Sequence, residues 1–106
     1  MNHVILIGRL GKDPEFVDLK GSEHKIAKLS LATSDKDAEG KERTEWHHIT
    51  LFGKLATIAV EHLAKGREVC IVGKVTYREY EDKQGNKRTT TDIIGKELKF
   101  VGTKNS

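Results

Sequence analysis

Hydrophobic and polar positions alternate along most of this chain, and the period changes only once. Val4-Ile5-Leu6-Ile7 is a short apolar run ended by Gly8. It predicts a first strand, bent at the glycine by a bulge or a close backbone approach, with a turn after it at Pro14, the sole proline. Glu15 to Leu19 reads as a weak strand returning towards a turn at Lys20-Gly21. From Lys25 to Ser34 the pattern alternates cleanly: Ala27, Leu29 and Leu31 share one face, with Lys25 and Lys28 flanking or opposite, which predicts a half-buried second strand. Residues 35–43 carry both charge signs and no period, and predict a mobile loop. Alternation resumes at Thr44 to Lys54, the third strand. Trp46, His48, Thr50 and Phe52 fall on one face of it, and Glu45, His47, Ile49 and Leu51 on the other.

Beyond Gly53 the apolar positions Leu55, Ala56, Ile58, Ala59, Val60 and Leu63 recur at helical spacing. The helix they predict runs to Lys65-Gly66, a basic last turn with a glycine cap. Glu68 to Tyr80 is a long fourth strand. After Gly73 it turns Lys74, Thr76, Arg78 and Tyr80 to one side and Val75 and Tyr77 to the other. Residues 81–87 form a polar hairpin tip, and Arg88 to Ile94 returns as a threonine-rich fifth strand ending near Phe100. No internal repeat is evident, and residues 103–106 are expected to fray. Five strands with one short helix between the third and fourth predict an all-β OB-fold, a partly open five-stranded Greek-key barrel. Gly8, Gly53 and Gly73 sit where such a barrel must bend. Another small barrel or a β-sandwich fits the strand count, but a lone helix after the third strand argues against both.

At 106 residues the chain is expected to be one domain, over residues 1–102. Aromatic residues make up only 6%, so each aromatic position carries more information than usual. The net charge of +3 is a mild basic bias. It is concentrated: residues 67–106 hold nine Lys and Arg against six Asp and Glu, whereas residues 35–45 hold three against five. Cys70 is the only cysteine, which excludes an intrachain disulfide framework and favours a reducing compartment. No stretch is long and apolar enough for a membrane span or a signal peptide, so a soluble cytoplasmic protein is expected.

Trp46 and Phe52 on one strand face can either pack internally or offer a stacking platform to flat ligands. His48 and Thr50 between them are poor core residues, which favours the platform. The long hairpin can be a solvated arm whose tyrosines pack their rings, or a clamp in which Lys74, Arg78 and Arg88 ion-pair with phosphates beside Tyr80. Four of the five histidines, His24, His47, His48 and His62, lack paired-ligand spacing, and His47 and His48 point to opposite sides of a strand. No metal and no cofactor are therefore expected. There is no phosphate-binding glycine loop, nucleophile elbow or helical His-Glu-x-x-His, so no enzyme is expected either.

The separated segments Val4 to Glu15, Leu31-Ala32-Thr33-Ser34, Thr44-Glu45-Trp46-His47, Leu51 to Ala56, Leu63-Ala64-Lys65-Gly66, Val69 to Gly73, and Gln84-Gly85 with Thr90-Thr91 together resemble the bacterial-type single-stranded DNA-binding proteins. The resemblance implies sequence-independent binding of single-stranded DNA in replication, recombination and repair, usually by a homotetramer. It implies base stacking by Trp46 and Phe52, phosphate contacts by Lys54 and Arg78, and a subunit-interface role for His47. Tyr80 stands where the family often has a tryptophan. His48 replaces a frequent arginine, which implies a weaker or pH-sensitive contact because imidazole changes charge close to neutrality. The loop at 35–43 has no aromatic where many relatives stack a further tryptophan. The sequence ends at Ser106 without the family's glycine-rich linker and acidic tail, so tail-mediated recruitment of repair and replication enzymes is not expected of this chain. Two rival readings remain: a primosome-type replication protein acting as a dimeric adaptor, and a protein-interaction barrel with the aromatic face as its docking surface.

Overall fold

A computed structural model describes residues 1–18 and 25–101. In chain order the elements are β1 (Val4–Leu10), β2 (Glu15–Asp18), β3 (Lys25–Lys36), β4 (Glu42–Phe52), α1 (Lys54–His62), β5 (Glu68–Glu81) and β6 (Lys87–Phe100). The strands follow the order β1-β5-β6-β4-β3-β2, and β1 also pairs with β3, at Arg9↔Ala32 and Leu10↔Leu31. That last pairing closes a ring of five strands. β2 occupies the part of the β3 edge that β1 leaves free, pairing Glu15 to Asp18 with Lys25 to Lys28. The result is the small closed barrel with one helix that the element order predicts.

Alternation accounts for the core. The inner faces of β3, β4 and β5 contribute Ala27, Leu29, Leu31, Ile49, Leu51, Val69 and Ile71, all buried, and Ala56, Ala59 and Leu63 close one end of the barrel. Full burial of an Ile or Leu side chain contributes about 1.5–3 kcal/mol, so Ile49 and Leu51 alone hold β4 firmly in this register.

Two expectations need correction and one falls partly outside the described residues. The segment at 35–43 is not an irregular loop: β3 runs on to Lys36 and β4 begins at Glu42, paired Lys36↔Glu42 across a five-residue turn. The helix ends earlier than its apolar period suggests. Leu63 donates its amide to the Ala59 carbonyl and then adopts an extended backbone that turns its side chain into the core. Gly66 instead serves the turn into β5, donating to the Leu10 carbonyl. The weak strand at 15–19 forms as β2, but its end, the Lys20-Gly21 turn, His24 and the frayed residues 103–106 lie outside the described residues.

Gly8 shows why the ring closes. A Cβ at this position would collide with the backbone carbonyl oxygen of Ala32, so only glycine lets β3 pass this close to β1. Gly8→Ala is therefore expected to destabilise the protein by about 1–3 kcal/mol through local overpacking. Urea unfolding followed by circular dichroism checks this, and an unchanged midpoint would contradict it.

Candidate nucleic-acid interface

With Ile49 and Leu51 buried, strand geometry sends Trp46, His48, Thr50 and Phe52 outwards, and Trp46 is 56% and Phe52 47% exposed. At the usual rise per residue the six steps between them span about 20 Å. Internal packing of these two rings is thereby excluded within one chain. Trp46 is supported from below: a Cβ on Gly11, in the turn after β1, would run into the indole ring, so the absent side chain leaves the space in which the ring lies.

The register of neighbouring strands extends this face. Lys28 on β3 is opposite Thr50, and Ser30 is opposite His48. On the other side β4 meets β6 in parallel at Ile49↔Ile93 and Thr50↔Ile94, which carries the outer face on to Asp92 and, across β5, to Lys74 and Thr76. An open groove of about 270 Å³ lies here. Lys12, Lys28, His48 and Arg78 supply its basic and imidazole groups, Ser30 and Thr50 its hydroxyls, and Glu15 and Asp92 its carboxylates. Among the described residues Lys12, Lys28, Lys54, Lys74 and Arg78 make no ion pair, which leaves their charges free for an anionic ligand.

The structure thus brings His48 and Arg78 to one groove and Trp46, Phe52 and Lys74 to the same outer face. Lys54 is exposed at the first position of α1, two residues after Phe52. Tyr80 and Arg88 are register partners farther out on the hairpin, on the side that carries Arg78. His47 points the other way, hydrogen-bonded through Nε2 to Thr33 Oγ1 at 2.8 Å. Sequence reading missed Lys12, Lys28, Ser30, Glu15 and Asp92 as groove residues. For Lys28 and Ser30 the signal was present, because they occupy the outward phase of an alternating strand. Lys12 reaches the groove from a turn whose direction no period reports. Among the described residues no three His, Cys, Asp or Glu side chains gather as metal ligands.

The tips of the β3–β4 and β5–β6 hairpins are built alike, from an Asp-x-x-Gly-x-x-Arg spacing that occurs at 37–43 and again at 82–88. Asp37 Oδ1 accepts from the amides of Glu39 and Lys41 at 2.9 and 3.0 Å, and Oδ2 accepts from Arg43 Nε at 3.0 Å. Asp82 Oδ1 accepts from the amides of Gln84 and Asn86, both at 2.9 Å, and Oδ2 from Arg88 Nε at 3.0 Å. Gly40 and Gly85 provide the positive φ that each turn requires. Arg88 is thus already tied to a carboxylate, and its two terminal nitrogens make no further hydrogen bond among the described residues.

These bonds favour the ionised carboxylates. Arg43 and then the Lys41 amide lower the pKa of Asp37; the Asn86 amide and then Arg88 lower that of Asp82. A lowered folded-state pKa means the turns are fully stabilised above the ordinary aspartate value and lose that stabilisation as pH falls through the lowered one. Backbone order parameters at Lys41 and Asn86 are therefore expected to fall on acidification before those of the barrel strands do. Tips that stay rigid until the whole domain unfolds would contradict this.

The family model described as the single-strand binding protein family matches residues 1–101. A single-stranded DNA-binding protein of Neisseria meningitidis is 44% identical over 109 aligned residues, covering 99% of this chain and 62% of the relative. Another of that name from Xylella fastidiosa is 41% identical, covering 96% of this chain and 64% of the relative. This chain thus spans about three fifths of the length of these curated relatives. Among solved structures, the Plasmodium falciparum SSB in complex with ssDNA superposes with a TM-score of 0.87 at 30% identity, covering 96% of each chain.

Proposed function

This chain belongs to the single-strand binding protein family, and on that premise we propose that it binds single-stranded DNA without sequence preference and protects it during replication, recombination and repair. The observation that carries the reading is the outer face of β4, where two half-exposed rings flank a groove whose cations make no ion pair among the described residues. Stacking on an aromatic ring contributes about 1–3 kcal/mol per base whatever the base, because every base has a π-face. In this reading residues 1–102 are the binding domain. Trp46, Phe52 and Tyr80 stack bases; Lys54, Lys74, Arg78 and Arg88 hold phosphates; and His48 makes a polar contact between the rings. The protein acts as a non-enzymatic coat in the cytoplasm and needs no cofactor.

We further propose a homotetramer, with His47 at a subunit contact. Two features support self-association. Ile5 and Ile7 stand exposed on the outer face of β1, and beyond Arg9 and Leu10 the second edge of that strand has no partner among the described residues. A dimeric adaptor of primosome type is the rival, and light scattering separates the two: the tetramer gives four times the 11.9 kDa chain mass, the dimer twice.

Binding of a labelled oligothymidylate, followed by anisotropy, tests the ligand. Trp46→Ala and Phe52→Ala are each expected to weaken it by about 5- to 150-fold, the equivalent of one lost stacking platform. Arg78→Ala and Lys54→Ala are each expected to reduce the slope of log affinity against log salt by about 0.7, one phosphate's worth. Equal affinity for duplex, or a Trp46→Ala protein that loses a protein partner but keeps its affinity for DNA, would overturn the proposal.

A further inference from the structure

Two carboxylates line a groove that is read above as the seat of a polyanion. Glu15 on β2 is the register partner of Lys28, which is opposite Thr50, and Asp92 on β6 immediately precedes Ile93, the partner of Ile49. The two therefore stand on opposite sides of β4, the strand that carries the rings. Neither makes an ion pair among the described residues. Asp92 is half-buried and held in place: its Oδ2 accepts from Thr90 Oγ1 at 3.4 Å and its backbone carbonyl from Thr76 Oγ1 at 3.3 Å. Their negative charges face whatever enters the groove.

Charge in the groove is close to balanced. Lys12, Lys28 and Arg78 give three positive charges against the two negative charges of Glu15 and Asp92, a net +1 with His48 neutral. A phosphate that enters is drawn by one set and repelled by the other, and the repulsion acts on any phosphate whatever base it carries. Lys54 and Lys74 do not line the groove, and they make no ion pair among the described residues. A single strand can use both regions: its bases rest on Trp46 and Phe52, which hold them by stacking, while its phosphates stay outside with Lys54 and Lys74. A polyanion without bases has no such choice. It gains nothing from the rings and meets the carboxylates wherever it follows the groove.

We infer that Glu15 and Asp92 are specificity-determining residues: they make the groove reject phosphate as such, so that a strand enters by its bases and polyanions without accessible bases are turned away. Selectivity of this kind comes from repelling the wrong ligand, in addition to attracting the right one. The inference rests on the single-stranded DNA reading and deepens it, because the rings decide what is held and the carboxylates decide what is refused.

The test titrates labelled inorganic polyphosphate and labelled oligothymidylate separately into the full chain at low salt, with anisotropy as the readout. Glu15→Gln/Asp92→Asn is expected to bind polyphosphate about 25-fold more tightly, about fivefold for each charge removed. Its affinity for oligothymidylate is expected to rise by no more than about threefold, because phosphates held outside the groove are largely screened from it. Equal gains for the two ligands overturn the inference, and so does a polyphosphate affinity that the double substitution leaves unchanged or lowers. Asp92→Glu, which keeps the charge, is expected to bind polyphosphate no better than the unaltered protein; a gain there assigns the effect to packing and overturns the inference as well. If the thermal midpoint of the double variant drops, Glu15→Gln alone, at an exposed position on the short edge strand, decides by the same comparison. If the unaltered protein binds no oligothymidylate, the single-stranded DNA reading fails and takes the selectivity with it, whatever polyphosphate does.

Discussion

Burial of Ile49 and Leu51 on the inner face of β4 fixes what the outer face of that strand presents, and the rest of the site depends on it. A strand has two faces and a period of two, so committing these side chains to the core commits Trp46, His48, Thr50 and Phe52 to solvent. A slip of one residue would send the indole inward and two large aliphatic side chains into water. The register that secures folding therefore also exposes the rings. The barrel protects it on both sides: β3 pairs with β4 along its whole length, and β6 meets it in parallel at Ile49 and Thr50.

Closure gives the second layer of organisation. Because Gly8 lets β1 and β3 approach, the turn after β1 folds back over the outer face. Gly11 then underlies Trp46, and Lys12 reaches the groove. From the other side the β5–β6 hairpin continues the sheet beyond the core and carries Arg78, Tyr80 and Arg88 away from the barrel while its tip is held by Asp82. Such an arm gains little from burial, and cross-strand pairing with a hydrogen-bonded turn must replace it. A short barrel thus presents an outer face longer than its own core.

Much of this was legible in the residues, and the reasons differ from place to place. The facing of β4 follows from alternation alone, since Ile49 and Leu51 leave no choice. The element order suffices for the barrel, since a single helix after a third strand fits few small β architectures. The 35–43 segment misled because its charged residues carry no period. Its order comes from one carboxylate binding two amides and a guanidinium, and the same seven-residue spacing at 82–88 went unnoticed as a repeat. The helix end misled in the opposite way: Leu63 continues the apolar period but belongs to the core as an extended residue. The meeting of Glu15 and Asp92 in one groove was beyond reach, because register between strands far apart in sequence is set by the closed barrel and no single strand records it.

The outer face of β4, and neither its inner face nor the opposite side of the hairpin, is the surface proposed to hold the nucleic acid. Photocrosslinking with 5-iododeoxyuridine oligonucleotides, followed by mapping of the attached residues, reads this directly, because an excited iodouracil joins to aromatic rings in contact with it. Crosslinks are expected at Trp46 and Phe52, with Tyr80 as a further site on the hairpin. Crosslinks confined to His47 or to Tyr77, which is 72% exposed on the other side of β5, would contradict it.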